Sequence, residues 1–440
     1  MPRRPLTALP VLLLFALPGL ARADLHEYVK KPEPDFAWKP MGNSKTDAGT
    51  VYTLHLVSQN WQGIKWEHQL QVYQPKGVEP NGTMLLWNQG GKPSAGSVAF
   101  GMQLAKLSRS PVAFLFGIPN QPLLDGKTED ALIAETFLRF LKTKDENWPL
   151  LFPMVKSLVK AMDALQAFSK EQWKQPVRSF VVTGGSKRGW TTWLTAAADP
   201  RVKAIAPMVI DVLNMPAQME NQYRSFGGKY SEMIHNYTDT GLVPMPKTPE
   251  AKRLWTLVDP YAYRDKLTMP KLMVLGNNDP YWATDALNLY WDGLKGEKYV
   301  LYVPNAGHNL QRKGPDGKPD LSRPVQGLSA YLRHQVTDRP LPKLSWKHAE
   351  ADGKLMLTVA ADPAPRGARL WVAEAPTRDF RKAEWKEQPA TIDGKAVKGA
   401  VPAPESGCKA LYAELDYEID GIPYHLSTQL RIAGKPAEKK

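Results

Sequence analysis

The stretch Thr183-Gly184-Gly185-Ser186-Lys187-Arg188-Gly189-Trp190 decides how this chain is read. It follows the apolar run 180–183 directly and precedes a helix-forming run, 191–198. A serine on a tight strand-to-helix turn has its hydroxyl pushed out above the sheet, and flanking glycines permit the strained backbone this requires. The helix that follows offers free N–H groups to a negative oxygen. The usual elbow is Gly-x-Ser-x-Gly; here the second glycine, Gly189, comes at Ser+3 and Arg188 takes Ser+2. A plain Gly-Gly-Ser turn competes with this reading, as does a phosphate-cradling loop. A Walker loop lacks its second glycine followed by Lys-Ser/Thr here.

Serine is a poor nucleophile without a base. In folds with such an elbow the chain order is serine, acid, histidine, and the last two sit on loops after late strands. Residues 271–275 read as a buried strand, and Gly276-Asn277-Asn278-Asp279-Pro280-Tyr281-Trp282 puts Asp279 at its carboxyl end. Residues 298–304 read as the final strand, followed by Asn305-Ala306-Gly307-His308. Of the 8 histidines only His308 has that position; His68 in an alternating strand and His334 in a terminal helix read as structural. Asp211, after the apolar run 204–210, is an alternative acid. The backbone N–H of Lys187 is one expected oxyanion donor. A second is expected from Gln89 or Gly90, in the loop Asn88-Gln89-Gly90-Gly91-Lys92 behind the strand 83–87. The expected chemistry is acyl transfer to water by Ser186, His308 and Asp279, with no metal or organic cofactor. The substrate is a small molecule or a peptide, with ester and amide both open.

Around this core, short apolar runs (83–87, 112–116, 180–183, 204–210, 271–275) alternate with helix-like stretches such as 129–142 and 155–167. That is the pattern of a mostly parallel sheet with helices on both faces. Between 212 and 265 periodicity dissolves into an aromatic, proline-bearing insertion of the kind that caps an active site. Pro340-Leu341-Pro342 marks a boundary. Beyond it, strand follows strand without helices (355–359, 368–373, 411–417), which predicts a small all-β sandwich over 341–434 and a frayed tail over 435–440. The hydrolytic domain is then 24–340.

Residues 1–23 open with Arg3-Arg4, continue through an apolar stretch too short and too broken by Pro10 and Pro18 to span a bilayer, and end Ala21-Arg22-Ala23. This is the reading for a cleaved signal peptide and a periplasmic or secreted protein with no transmembrane helix in its mature chain. The 440 residues are 43% hydrophobic and 23% charged, which excludes wholesale disorder. The formal charge is +13; removing Arg3, Arg4 and Arg22 with the leader leaves +10. The basic residues are scattered rather than striped, so no nucleic-acid partner is expected. A single cysteine, Cys408, excludes an intrachain disulfide and Cys-rich metal sites.

The stretches Trp87-Asn88-Gln89-Gly90-Gly91, 184–190, Asn277-Asn278-Asp279-Pro280-Tyr281 and Pro304-Asn305-Ala306-Gly307-His308-Asn309 resemble the PhoPQ-activated pathogenicity-related proteins, a branch of the α/β-hydrolase superfamily. So do Leu370-Trp371-Val372-Ala373 and Thr377-Arg378-Asp379-Phe380-Arg381. The resemblance covers about 25–432 and implies an α/β-hydrolase fold with an appended β domain, secreted or periplasmic. It also keeps open a non-catalytic secreted signalling or binding protein on a hydrolase fold. The Ser186-Lys187-Arg188 turn is similar in form to the elbow of glucuronoyl esterases, where a basic side chain beside the serine holds the oxyanion. That likeness puts Lys187 in the same role, and the Lys187-Arg188 pair raises the expectation of a substrate bearing a carboxylate, unless Arg188 is bound to a structural carboxylate behind the elbow.

Overall fold

The computed structural model describes residues 24–436. Residues 1–23, where the signal peptide is expected, and 437–440 of the tail lie outside the described residues. Six short apolar segments form strands because, covered on both faces, their backbone groups must pair within a ladder. They are β4 (Thr83–Asn88), β5 (Val112–Leu115), β6 (Ser179–Gly185), β7 (Val202–Met208), β8 (Lys271–Gly276) and β9 (Lys298–Val303). They run parallel in the order β5-β4-β6-β7-β8-β9. An antiparallel ribbon, β1 (Ala37–Thr46), β2 (Gly49–Trp61) and β3 (Ile64–Pro75), extends the sheet beyond β5.

Helices α2 (Ala95–Ser108) and α9 (Ser322–Thr337) cover one face; α1 (Leu25–Lys30), α4 (Leu151–Trp173) and α5 (Lys187–Ala198) cover the other. This is the α/β-hydrolase arrangement. Helix α4 is longer than the expected 155–167. Pro153 is tolerated within its first turn, and the polar last turn through Lys170 carries it to the left-handed Lys174. The strand expected over 204–210 stops at Met208, because Val209 turns the chain with φ 47°. Between β7 and β8 lie α6 (Met215–Ser225), α7 (His235–Thr238) and α8 (Pro249–Val258), where the aperiodic insertion was read.

A two-residue ribbon, β10 (Arg312–Lys313) with β11 (Pro319–Asp320), precedes α9. The C-terminal strands then form two antiparallel layers. One is β12 (Lys343–Ala351), β13 (Lys354–Asp362), β17 (Ala396–Pro402) and β16 (Thr391–Asp393). The other is β15 (Lys386–Pro389), β14 (Gly367–Ala375), β18 (Gly407–Ile419) and β19 (Ile422–Ser427), with β20 (Arg431–Lys435) also on β18. The second layer is edge-joined to the hydrolase sheet: Ser427 pairs with Val300 of β9, and its hydroxyl accepts from the Tyr302 N–H at 3.2 Å. Strand β20 corrects the tail boundary, since Lys435 is paired with Gly407. No helix among the described residues is long and apolar enough to cross a membrane.

Gly189 is where α5 presses closest on the strand ends. A Cβ there would sit 2.7 Å from Ile210 Cγ2, 2.9 Å from the Gly184 carbonyl and 3.0 Å from the Met208 carbonyl. Two of those atoms are backbone and cannot swing away. Gly189→Ala is therefore expected to cost about 1–3 kcal/mol, read from the midpoint of urea unfolding; an unchanged midpoint would contradict the tight packing.

Candidate active site

Ser186 sits between β6 and α5 with φ 57° and ψ −129°, a conformation that L-residues rarely adopt. Its N–H donates to the Met208 carbonyl at 2.9 Å, and its own carbonyl accepts from Trp190 at 3.0 Å. The departure from the usual glycine spacing has a steric reason. A Cβ at Gly184 would meet Arg188 Cβ and the Arg188 carbonyl at 2.9 Å, while Gly189 meets the strand ends as above. The glycines stand where α5 touches β6 and β7, and Ser+2 is free to carry a long side chain.

Asp279 and His308 come from the adjacent loops after β8 and β9. Those loops touch: a Cβ at Gly276 would lie 2.4 Å from the Gly307 carbonyl, and the Asn278 N–H donates to Ala306 O at 2.9 Å. His308 Nδ1 lies 2.7 Å from Asp279 Oδ2, and Asp279 Oδ1 accepts from the Tyr281 N–H at 2.8 Å. The Tyr281 ring lies 4.2 Å from the imidazole, centroid to centroid. His308 Nε2 is buried and has no hydrogen-bond partner among the described residues. Ser186 and His308 line one cavity. The structure thus gathers Ser186, Asp279 and His308 at the carboxyl edge of one sheet.

The alternative acid does not reach the imidazole. Asp211 is buried and accepts a hydrogen bond from Tyr290 Oη at 2.6 Å. Burial, with a smaller push from the charge of Asp279, raises its carboxyl to about 7 against the Tyr290 bond that lowers it. The hydrogen-bonded Ser–His pair among the described residues, Ser58 Oγ with His68 Nε2 at 2.9 Å, is shut inside the core, in line with a structural His68.

The expected oxyanion donors divide. Lys187, at the first position of α5, keeps a backbone N–H outside the helical ladder. Gln89 is excluded as the second, because its N–H is taken by the Leu115 carbonyl at 2.8 Å. Gly90 makes no such bond among the described residues. A Cβ at Gly90 would fall 2.0 Å from Arg188 Nη2, so a glycine is required where the arginine passes beneath the loop.

Sequence reasoning missed Glu129 and Asp130, at the start of α3 (Glu129–Thr143). Arg188 bonds both oxygens of Glu129 at 2.6 Å and the Ile118 carbonyl at 2.6 Å. Lys187 Nζ lies 2.9 Å from Glu129 and 3.0 Å from Asp130, whose other oxygen accepts from Tyr237 Oη at 3.1 Å. Burial pushes the Glu129 carboxyl up, but bonds and charge from Arg188 and then Lys187 prevail and hold it at about 2. Two cations thus meet two acids. The Lys187 ammonium expected at the oxyanion is instead engaged by Glu129 and Asp130 in the cavity wall, and Arg188 is bound to a structural carboxylate. The only signal in the sequence was an acidic pair opening a helix, which reads first as a favourable dipole contact.

The cavity holding Ser186 and His308 is roofed by the insertion: Val212, Met215 and Met219, with Ile234, Val243 and Trp255, complete its wall. Among the described residues, Glu414, Asp416 and His425 of the β domain are spaced closely enough to hold a cation. Arg369 already bonds both of those carboxylates, and Arg323 pairs with the buried Glu414.

The family model described as PhoPQ-activated pathogenicity-related protein matches residues 25–381. The autocrine proliferation repressor protein A of Dictyostelium discoideum is 31% identical over 445 residues, covering 92% of this chain and 88% of that protein. Among solved structures, an acetyl xylan esterase of a Thermoanaerobacterium species is similar at 13% identity, covering 64% of this chain and 88% of its own, with a TM-score of 0.46. An S-formylglutathione hydrolase from Agrobacterium tumefaciens is similar at 13% identity, covering 68% and 97%, with a TM-score of 0.42.

Asp211 carries a pH signature. Its folded value, about 7, lies above the usual 3.8. Its neutral form is therefore the one the fold favours, and stability present below pH ~4 is lost as pH rises through about 7. Asp211→Asn is expected to flatten the decline in melting temperature between about pH 5 and about pH 8; an unchanged decline would contradict a carboxyl held neutral by burial.

Proposed function

Because the chain belongs to the PhoPQ-activated pathogenicity-related protein family, we propose a function from its own site: a serine hydrolase that cleaves uncharged esters. The observation that carries this reading is His308, held at Nδ1 by Asp279 with Nε2 unbonded among the described residues, in the wall of the cavity that Ser186 also lines. In the proposed reaction Ser186 Oγ attacks the ester carbonyl as His308 Nε2 takes its proton. Asp279 fixes the imidazole tautomer and stabilises the imidazolium. The N–H groups of Lys187 and Gly90 face the developing oxyanion, an effect of about 3–4 kcal/mol per donor. His308 then returns the proton to the leaving alcohol, and water, activated by the same imidazole, releases the acid.

The preference for an uncharged substrate rests on charge accounting at the wall. Lys187 and Asp130 pair within the wall, Glu129 and Arg188 pair beside it, and the rest of the lining is largely apolar. A carboxylate entering there would be desolvated with no free cation to meet it. Neutral acyl esters are expected to turn over about tenfold or more faster in kcat/KM than matched esters carrying a carboxylate. Equal kinetics would remove this preference. Ser186→Ala should abolish both hydrolysis and fluorophosphonate labelling, and Asp279→Asn should lower kcat by about 10⁴.

We place the protein outside the cytoplasm on the strength of its first 23 residues; the N-terminal sequence of exported protein should begin at Asp24. The name of the Dictyostelium relative favours one second reading, a secreted signalling protein without catalysis. Well-folded wild-type protein that takes no fluorophosphonate label would support it.

A further inference from the structure

Three asparagines on the loops that carry Asp279 and His308 bond outward from those loops. Asn278, beside Asp279, donates through Nδ2 to the carbonyls of Phe380 (3.0 Å), Arg381 (3.3 Å) and Ala383 (2.8 Å). Asn305, three residues before His308, donates to the Trp385 carbonyl and accepts from the Trp385 N–H, both at 2.8 Å. Asn277 accepts from Tyr412 Oη of β18 at 3.2 Å. Every one of these partners belongs to the C-terminal β domain.

The segment 378–385 is itself firmly held. Phe380 and Trp385 are 1% and 2% exposed, and Trp385 packs on Tyr412, which packs on Tyr302 of β9. The same segment reaches the cap. Arg378 bonds Asp285, which also accepts from Asn221 of α6, and the Arg381 guanidinium lies 3.8 Å from the centroid of the Phe226 ring.

We propose that segment 378–385 is a positioning element that sets the acid and histidine loops in register, so that the β domain completes the geometry of the Asp279–His308 pair. This rests on the reading of that pair as catalytic. Two loops that touch each other can still move together relative to Ser186. Side-chain bonds from both loops to one rigid third segment remove that freedom, and a misplacement near 1 Å can cost about 10²-fold in rate. Asn277, Asn278 and Asn305 are positioning residues, none of them lining the cavity that Ser186 shares with His308.

The test uses the full chain. Asn305 has φ 57°, so Asn305→Gly keeps the backbone conformation while removing both bonds to Trp385. Asn305→Asp keeps the acceptor alone, and Asn278→Ala removes the other loop's bonds to segment 378–385 while leaving the Asn277–Tyr412 bond in place. Each is assayed for kcat and KM on a neutral aryl ester and for the far-downfield Nδ1–H proton resonance of His308. The expected result is a kcat loss of about 10–10²-fold with KM within about twofold. Asn305→Asp should fall between wild type and Asn305→Gly, and the resonance should be weakened in the same order. Unchanged kcat with an intact resonance in both Asn305→Gly and Asn278→Ala overturns the proposal. If the wild type hydrolyses no ester, the hydrolase reading fails, and the resonance alone still decides whether the β domain sets the pair. Should Asn305→Gly not fold, Asn278→Ala decides.

Discussion

The backbone at Ser186 is the constraint from which the rest of the site follows. A residue held at φ 57° and ψ −129° is strained by about 1–3 kcal/mol. It persists only because β6 enters and α5 leaves at fixed angles. That geometry demands bare backbone at Gly184 and Gly189, where the helix meets the strand ends. It also sends Arg188 back under the Gly90 loop, where Glu129 and the Ile118 carbonyl fix it. One turn therefore sets the Ser186 hydroxyl, clears the Gly90 loop for the arginine and recruits the start of α3.

Much of this was written in local pattern. The strand-turn-helix rhythm at 180–198, the glycine-led acid loop and the His308 loop are all short-range signals, and each resolves at the end of a buried strand. What the pattern could not hold were side-chain pairings across long separations. Glu129 and Asp130 meet Lys187 and Arg188 across more than fifty residues, and nothing local distinguishes those acids from an ordinary helix start. Gln89 failed for a related reason, since a loop's glycines announce a close approach but not which N–H another strand's carbonyl will take.

The charge pattern of the wall has a bearing on how sequence motifs are transferred. A basic residue beside a nucleophile reads as an anion binder when viewed alone. Here two neighbouring cations are matched by two acids from a different element, and Tyr237 of the cap also bonds one of those acids. The sign of a pocket is thus a property of the assembled elements, and the same Lys-Arg dipeptide in another setting would imply another partner.

The seam between β9 and β19 has a consequence for how this protein can be dissected. The Ser427–Val300 bridge and the Ser427 hydroxyl cover the flank of the last hydrolase strand. Cutting the chain near 340 would uncover that flank as a bare row of amides and carbonyls, a template for indiscriminate pairing between molecules. A severed N-terminal portion should be lost to clumping before its properties can be measured.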